Sequence, residues 1–306
     1  MALDVSALTP YTDEISSGLA KQIVLSADTI QGNLVTKKFG VYGDTYKLNY
    51  VKSTMVGTSS ACNNTDAGST VMAQGSISMC PITFAQTICI DTLKSYWYDF
   101  EMERSYDSQS LGTFQEVFTA NKMETITKEL DKIAWQGNKA TGTGNLILCD
   151  GFLKTATDLT GEITLTRATM STSNSVSYVN SILALVPAEI LDKVELFLSP
   201  TDFQSYLQDL TANYKYNAVL VGTEGIKRIL HPGSIGLYVN SVNGLSGVAS
   251  GTFIATSKDN IVLAFGADNS MSFNMWYSMD SQALKLNSKI KMGTGFYFPE
   301  LVTRSA

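Results

Sequence analysis

The sequence predicts an α+β fold, and three observations carry that expectation. One long amphipathic helical pattern occupies residues 112–136, strand-like alternation dominates residues 36–89, and short helices and strands alternate between about 170 and 268.

The helix is the most strongly patterned stretch. Phe114, Phe118, Ile126, Leu130 and Ile133 fall on one stripe of a 3.6-residue period, and charged or polar residues fill the remainder. Glu124 precedes Lys128 by four residues, the favourable order for a surface ion pair. Gly137 is a plausible stop, followed by the polar loop NKATGTGN. At 1.5 Å rise per residue the rod is roughly 37 Å long, about twice an average globular helix. It reads as a spine between strand-rich regions.

Composition bounds the class. A chain of 306 residues, 44% hydrophobic and 16% charged, buries a sizeable core as one or two domains. A net charge of −6 offers no basic excess for gripping nucleic acid over the whole surface. Cys62, Cys80, Cys89 and Cys149 lack CxxC spacing, which argues against zinc and thioredoxin chemistry. They read as buried free thiols, with disulfide pairing as the alternative. The N-terminus has no basic segment before an apolar run, and no apolar stretch approaches about 20 residues. A soluble chain made in the cytoplasm is the expectation.

Along the chain, residues 1–35 are weakly patterned. Ile15, Leu19 and Ile23 suggest a short helix capped by Thr12 or Asp13, and the segment reads as an arm lying on other parts or other subunits. Thr45 to Val51 alternate after a Gly43-Asp44 turn, a polar run follows, and strand pattern resumes from Val71. The predicted hairpin has little core of its own. Asp99, Glu101 and Glu103 would share one strand face, more simply as a solvated or intersubunit face than as a cation site. Asn145–Leu153 reads as a short buried strand and turn. Residues 173–191 read as an amphipathic helix with Val176, Val179, Ile182, Leu183 and Val186 inward, broken at Pro187. Val194–Leu198 reads as a buried strand. Ser199 then caps a helix with Pro200 at its first position. Glycine-punctuated strands follow, and the last forty residues return to strand pattern beside the spine.

Catalytic motifs are missing. The single histidine, His231, sits in LHPG and reads as an ordinary turn residue. GxGxxG, the Walker A loop and the GxSxG elbow are absent, and Gly142-Thr-Gly144 is too short to form a phosphate cradle. No catalytic, cofactor or metal residue is assigned.

The order of the pieces resembles the major capsid protein family of tailed bacteriophages over nearly the whole chain. The resemblance rests on GDTYKLNYV as a glycine-led loop strand, ELDKIAWQGN and DGFL closing the spine, VELFLSPTDFQSYLQDL as strand then helix, and WYSMDSQALKLNSKIKMGTGFYFPELV as closing strands. Within the family it looks most like capsid proteins of phages of Bacteroidetes-type hosts. The resemblance implies an N-terminal arm (1–35) and an extended hairpin loop (36–89) lying across a neighbouring subunit. It also implies a peripheral domain (90–154 and 270–306) holding the spine helix 112–136, and an axial domain (155–269). It further implies self-assembly into hexamers and pentamers of an icosahedral head enclosing double-stranded DNA without sequence-specific binding. Portal, scaffolding or decoration proteins would be partners, no membrane or cofactor would be involved, and the protein would reside in the virion after synthesis in the host cytoplasm. An encapsulin-type shell shares the fold and is the alternative; a strand-rich enzyme is the third reading.

Overall fold

A computed structural model of the chain describes residues 13–56, 68–89, 114–213, 227–267, 271–278, 280–281 and 283–306. The predicted helix is present as Phe114–Gln136, after two earlier helices, Asp13–Ser26 (α1) and Asp28–Gln31 (α2), and is called α3. It contains neither proline nor glycine. Ile126, Leu130, Ile133 and Trp135 are buried along it, while Phe118 is half-buried beneath the Lys122 ammonium, 5.3 Å from the ring centre. The Glu124–Lys128 pair forms at 2.6 Å on the solvent side.

Gly137 ends α3 through close approach. Its N–H donates to Ile133 O at 2.9 Å, and a Cβ there would meet the same oxygen at 2.6 Å and run into the Cys149 carbonyl. The chain then loops back on itself, with Asn138 N–H donating to Leu146 O (2.7 Å) and Gly151 N–H to Gly137 O (2.8 Å). The strand expected over Asn145–Leu153 is therefore absent. A 3₁₀ turn at Gly144–Ile147 and the helix α4 (Phe152–Thr157) replace it, burying Phe152 and Ala156, four residues apart.

Two sheets flank these helices. Thr36–Val41 (β1), Cys80–Cys89 (β4), Ile261–Gly266 (β10), Ser272–Ser278 (β11) and Ala283–Phe296 (β12) form the first. Long β12 is its axis, antiparallel to β4, β10 and β11, and β1 lies parallel to β10. The second sheet runs Ile163–Leu165 (β5), Thr303–Ser305 (β13), Phe253–Ser257 (β9), Val194–Leu198 (β6), Tyr238–Ser241 (β8), Arg228–Leu230 (β7). Among the described strands, Thr45–Thr54 (β2) and Ser69–Ser78 (β3) pair with each other and with no third strand.

One core lies between α1, α3 and the first sheet, and it includes Ile23, Leu130, Trp135, Leu263, Phe273, Ile290 and Met292. Phe197 and Ile254 enter it from the second sheet. Trp135 touches Phe152 and Phe197 with ring centres 5.0 and 5.1 Å apart, geometry worth about 0.5–1.5 kcal/mol per pair beyond area burial. The opposite face of the second sheet packs under Ser175–Leu185 (α5) and Pro200–Asn213 (α6). All five residues of β6 are buried, as an all-apolar strand with one glutamate requires when both faces are covered. Val186 turns extended before Pro187, which ends α5, and Ser199 Oγ accepts the Asp202 N–H at 3.1 Å to cap α6.

Of the two placements expected for the N-terminal arm, residues 19–35 take the one on this chain's own core, because Ala20, Ile23, Val24 and Ala27 recur at helical spacing against α3 and Thr127 Oγ1 donates to Ile23 O at 3.1 Å; residues 1–12 lie outside the described set. Strand pairing runs across the expected partition: β1 and β4, within 36–89, and β10, within 155–269, pair in the first sheet, and β13, within 270–306, pairs in the second. Asn260 makes that exchange. Its Nδ2 donates to Thr256 Oγ1 (2.9 Å) and Phe298 O (3.0 Å), and its Oδ1 accepts the Phe298 N–H (2.7 Å). Finally, Cys80 and Cys149 are joined by a disulfide with Cα atoms 5.6 Å apart, so these two are not free thiols. They meet because β4 begins against the loop that closes α3.

Candidate assembly surfaces

The β2–β3 ribbon is the feature that the rest of the chain does not account for. Ten residues of each strand pair in continuous antiparallel register, Thr45 with Ser78 through Thr54 with Ser69. Among the described residues of the expected hairpin stretch 36–89, the ribbon pairing covers 45–54 and 69–78, and β1 and β4 at its ends belong to the first sheet.

The root is fixed. Leu48 and Ile77 are buried with Val41, Met79, Val262 and Ala264. Ile77 crosses β12 where Gly293 and Gly295 stand, and a Cβ at either position would lie 2.5–2.7 Å from its side chain. Glycine is required there by close approach of the ribbon. Farther out, one ribbon face still touches its own chain, through Tyr50 against Phe298 (ring centres 5.3 Å apart) and a Lys52–Glu300 ion pair. That pair holds the Glu300 carboxyl below its usual range.

The opposite face, Lys47, Asn49, Val51 and Ser53 against Ser76, Gln74, Met72 and Thr70, is bare. Val51 and Met72 sit directly across from each other, 54% and 83% exposed, and Met55 (92%) and Val56 continue toward the tip. Val71, beside Lys52, is also exposed. Apolar residues concentrated on a two-stranded ribbon cannot hold it together alone.

The first sheet carries a second open surface. Its inner face packs on α1 and α3, while the outer face presents Lys285, Asn287 and Lys289 on β12, Thr83 and Thr87 on β4, and Trp276 across from Lys285. None of these is acidic.

Chemically suggestive residues resolve into structure. His231 is corrected from a simple turn residue to a buried core group, 1% exposed. Its Nδ1 lies 2.7 Å from the Tyr206 hydroxyl and its Nε2 2.9 Å from Asn180 Oδ1, and burial lowers its pKa to about 4. The neutral ring suits both contacts, with Nδ1 accepting and Nε2–H donating. Glu195 is buried, holding Arg228 at 2.5 Å and the Asn240 amide at 2.6 Å; burial raises its pKa. Asp131 is buried on α3, its Oδ1 accepting the Thr29 N–H at 3.4 Å, and burial raises its pKa. A cleft of about 700 Å³ beside α3 includes Glu124, Lys128 and Asp28, which pair with one another or with Lys227 rather than converging on a ligand. Among the described residues no metal-holding cluster occurs, and no helix is long and apolar enough to cross a membrane. Asp99, Glu101, Glu103 and Cys62 lie outside the described residues; Cys89 is free and exposed. The Asn260 junction and the buried His231 contacts were missed because both depend on residues distant in sequence.

No protein-family model and no curated protein matches the sequence. Solved structures match over almost its whole length. A chain of the capsid of the native GTA particle aligns with a TM-score of 0.60 at 9% identity, covering 92% of this chain and 89% of that one. A chain of the satellite phage P4 procapsid with its size determination protein gives 0.58 at 10% identity, covering 94% and 97%. The virus-like particle from Pyrococcus furiosus gives 0.54 at 10% identity, covering 97% and 99%. The chain has the capsid fold of tailed bacteriophages, including its mixed α+β architecture and long spine helix.

Proposed function

We propose that the chain is a structural shell subunit that self-assembles into the hexamers and pentamers of an icosahedral phage head enclosing double-stranded DNA. The observation that carries this reading is the β2–β3 ribbon, rooted on glycines of β12 and bare on its Val51–Met72 face, in a chain whose fold is that of capsid proteins. A second copy supplies what the ribbon lacks, with the outer face around Trp276, Lys285 and Lys289 as the receiving surface. Asp44, at the root of the ribbon, is already paired with Lys291 of the outer face at 2.7 Å, so the contact is made by packing rather than by charge pairing. The sheet around α3 acts as the peripheral domain and the six-stranded sheet with α5 and α6 as the axial domain. Portal, scaffolding or decoration proteins complete the head, which is built in the host cytoplasm and persists as the virion. The function is cohesion by repeated modest contacts, and not catalysis.

The test is a double substitution, Val51→Lys with Met72→Lys. Both side chains are exposed, so the subunit's melting temperature stays within a few degrees. Two further ammonium groups buried against Lys285 and Lys289 meet only like charge, at a cost of several kcal/mol, which lowers particle yield by about a hundredfold or more in electron microscopy and size-exclusion chromatography. Particles at wild-type yield would sink the proposal. The match to the Pyrococcus furiosus particle favours a second reading, an encapsulin-type compartment. Purified particles containing protein in place of double-stranded DNA would select it.

A further inference from the structure

We propose that the Cys80–Cys149 pair is a redox latch that clamps the root of the ribbon to the C-terminal end of the spine helix. Only Met79 separates β3 from β4, so Cys80 stands where the chain leaves the ribbon and enters the first sheet. Met79 itself holds the root, its N–H donating to Asp44 O at 2.8 Å across the start of β2. Cys149 stands in the tightly closed loop after α3, where its carbonyl abuts Gly137 and the Gly151 N–H donates to Gly137 O. The bridge thus joins two points 69 residues apart, one at the base of the two-stranded ribbon and the other in the closed loop that ends α3.

A chain folding in a reducing compartment carries the two groups as thiols. Closure is a pair of thiol–disulfide exchanges. One cysteine thiolate attacks a low-molecular-weight disulfide such as oxidised glutathione, releasing one thiolate and leaving a mixed disulfide. The second cysteine thiolate attacks the protein sulfur and displaces the other thiolate. The protein loses two protons and two electrons, and the oxidant leaves as two thiols. Cys80 and Cys149 are 3% and 1% exposed, so there is no room for the mixed disulfide until the root of the ribbon lifts from the sheet. Closure therefore reports on, and then abolishes, that opening. Once closed, the same burial shields the bridge from reductant. The latch is a property of the single chain and stands whether or not the shell reading holds.

The experiment uses full-length protein purified with reductant and divided in two. One half is exposed to oxidised glutathione. Both are alkylated, digested and mapped by mass spectrometry, and their melting and hydrogen exchange are compared. A joined Cys80–Cys149 peptide is expected only in the oxidised half. The oxidised protein should melt roughly 5–15 °C higher, the range that loop-closure entropy implies for a loop of this length. The Met79 amide should gain more protection than that of Ile254 in the second sheet. The response should vanish in the double variant Cys80→Ser, Cys149→Ser and persist in Cys89→Ser. If the double variant folds poorly, the reduced and oxidised wild type still give the answer. Recovery of Cys80 and Cys149 as separately alkylated thiols after oxidation, or a melting temperature indifferent to redox state, overturns the proposal.

Discussion

Replacing Asn260 with alanine tests the junction between the two sheets. The side chain is 2% exposed and makes three hydrogen bonds, two to the Phe298 backbone and one to Thr256 Oγ1. Thr256 keeps a partner in the variant, because its hydroxyl also donates to Leu301 O at 2.9 Å. The Phe298 carbonyl likewise keeps the Leu301 N–H at 3.3 Å, so the Phe298 N–H alone is left without a partner, at a cost of about 1–3 kcal/mol. With a small cavity added, the expected loss is about 2–4 kcal/mol. Asn260→Asp retains the acceptor for the Phe298 N–H but loses both donors and buries a charge, so it should be no better than alanine at neutral pH. Asp259, exposed in the same turn, supplies the control: Asp259→Ala should change stability by no more than about 0.5 kcal/mol. Urea unfolding of the separated subunit measures all three. A loss below about 1 kcal/mol for Asn260→Ala would show that the sheets are held together elsewhere and not by these bonds.

Leu130→Ala, on the buried stripe of the spine, should cost about 2–5 kcal/mol and reduce soluble subunit, whereas an unchanged melting temperature would mean that the packed face of α3 is misassigned. Asp131→Asn keeps an acceptor toward the Thr29 N–H and removes a carboxylate whose pKa is raised by burial. A raised carboxylate pKa contributes stability that is present below the unfolded value of about 3.9 and lost as pH rises, so the variant should melt higher than wild type at pH 7, and the gain should shrink toward pH 4; equal melting at pH 7 refutes it. His231 works in the opposite direction. Its folded pKa of about 4 lies below the ordinary 6.5, so its contribution is complete above pH 6.5 and falls away as pH drops toward 4, by about 3 kcal/mol. His231→Gln, less stable at pH 7, should lose less on acidification from pH 7 to 4, and an unchanged pH profile would refute the assignment.

Legibility in the sequence followed the range of the interactions. The spine helix, the α6 cap at Ser199 and the buried strand Val194–Leu198 were visible because each is written within a few consecutive residues. Residues 13–35 were read as an arm because the local pattern shows an apolar stripe without showing what covers it. Asn145–Leu153 was misread because its apolar run satisfies a strand pattern, while Gly137 and Gly151 close the loop through backbone contacts that no periodicity records. The ribbon was legible as a hairpin, but its limits were not. Where β2–β3 ends and the first sheet begins depends on Gly293 and Gly295, more than 200 residues away from β3. The partners of Cys80 and His231 were likewise beyond the reach of spacing arguments.

The bare ribbon also constrains how strongly copies can join. Burying one large apolar side chain yields about 1.5–3 kcal/mol, so covering Val51, Met72 and Met55 on a second copy yields roughly 5–9 kcal/mol before any cost. Association of two proteins costs an estimated 4–15 kcal/mol in lost translational and rotational freedom, comparable to or larger than that gain. On the shell reading a single ribbon contact therefore does not hold a dimer at ordinary concentration. A closed ring changes the balance, because each subunit donates one ribbon and receives another, and the last contact joins partners already held in place. Subunits should thus pass from monomer to ring with little dimer between them. The anchored root matters to that step: a ribbon free to pivot would lose orientational freedom at every contact, whereas one fixed by Leu48, Ile77 and the β12 glycines has given up most of it during folding.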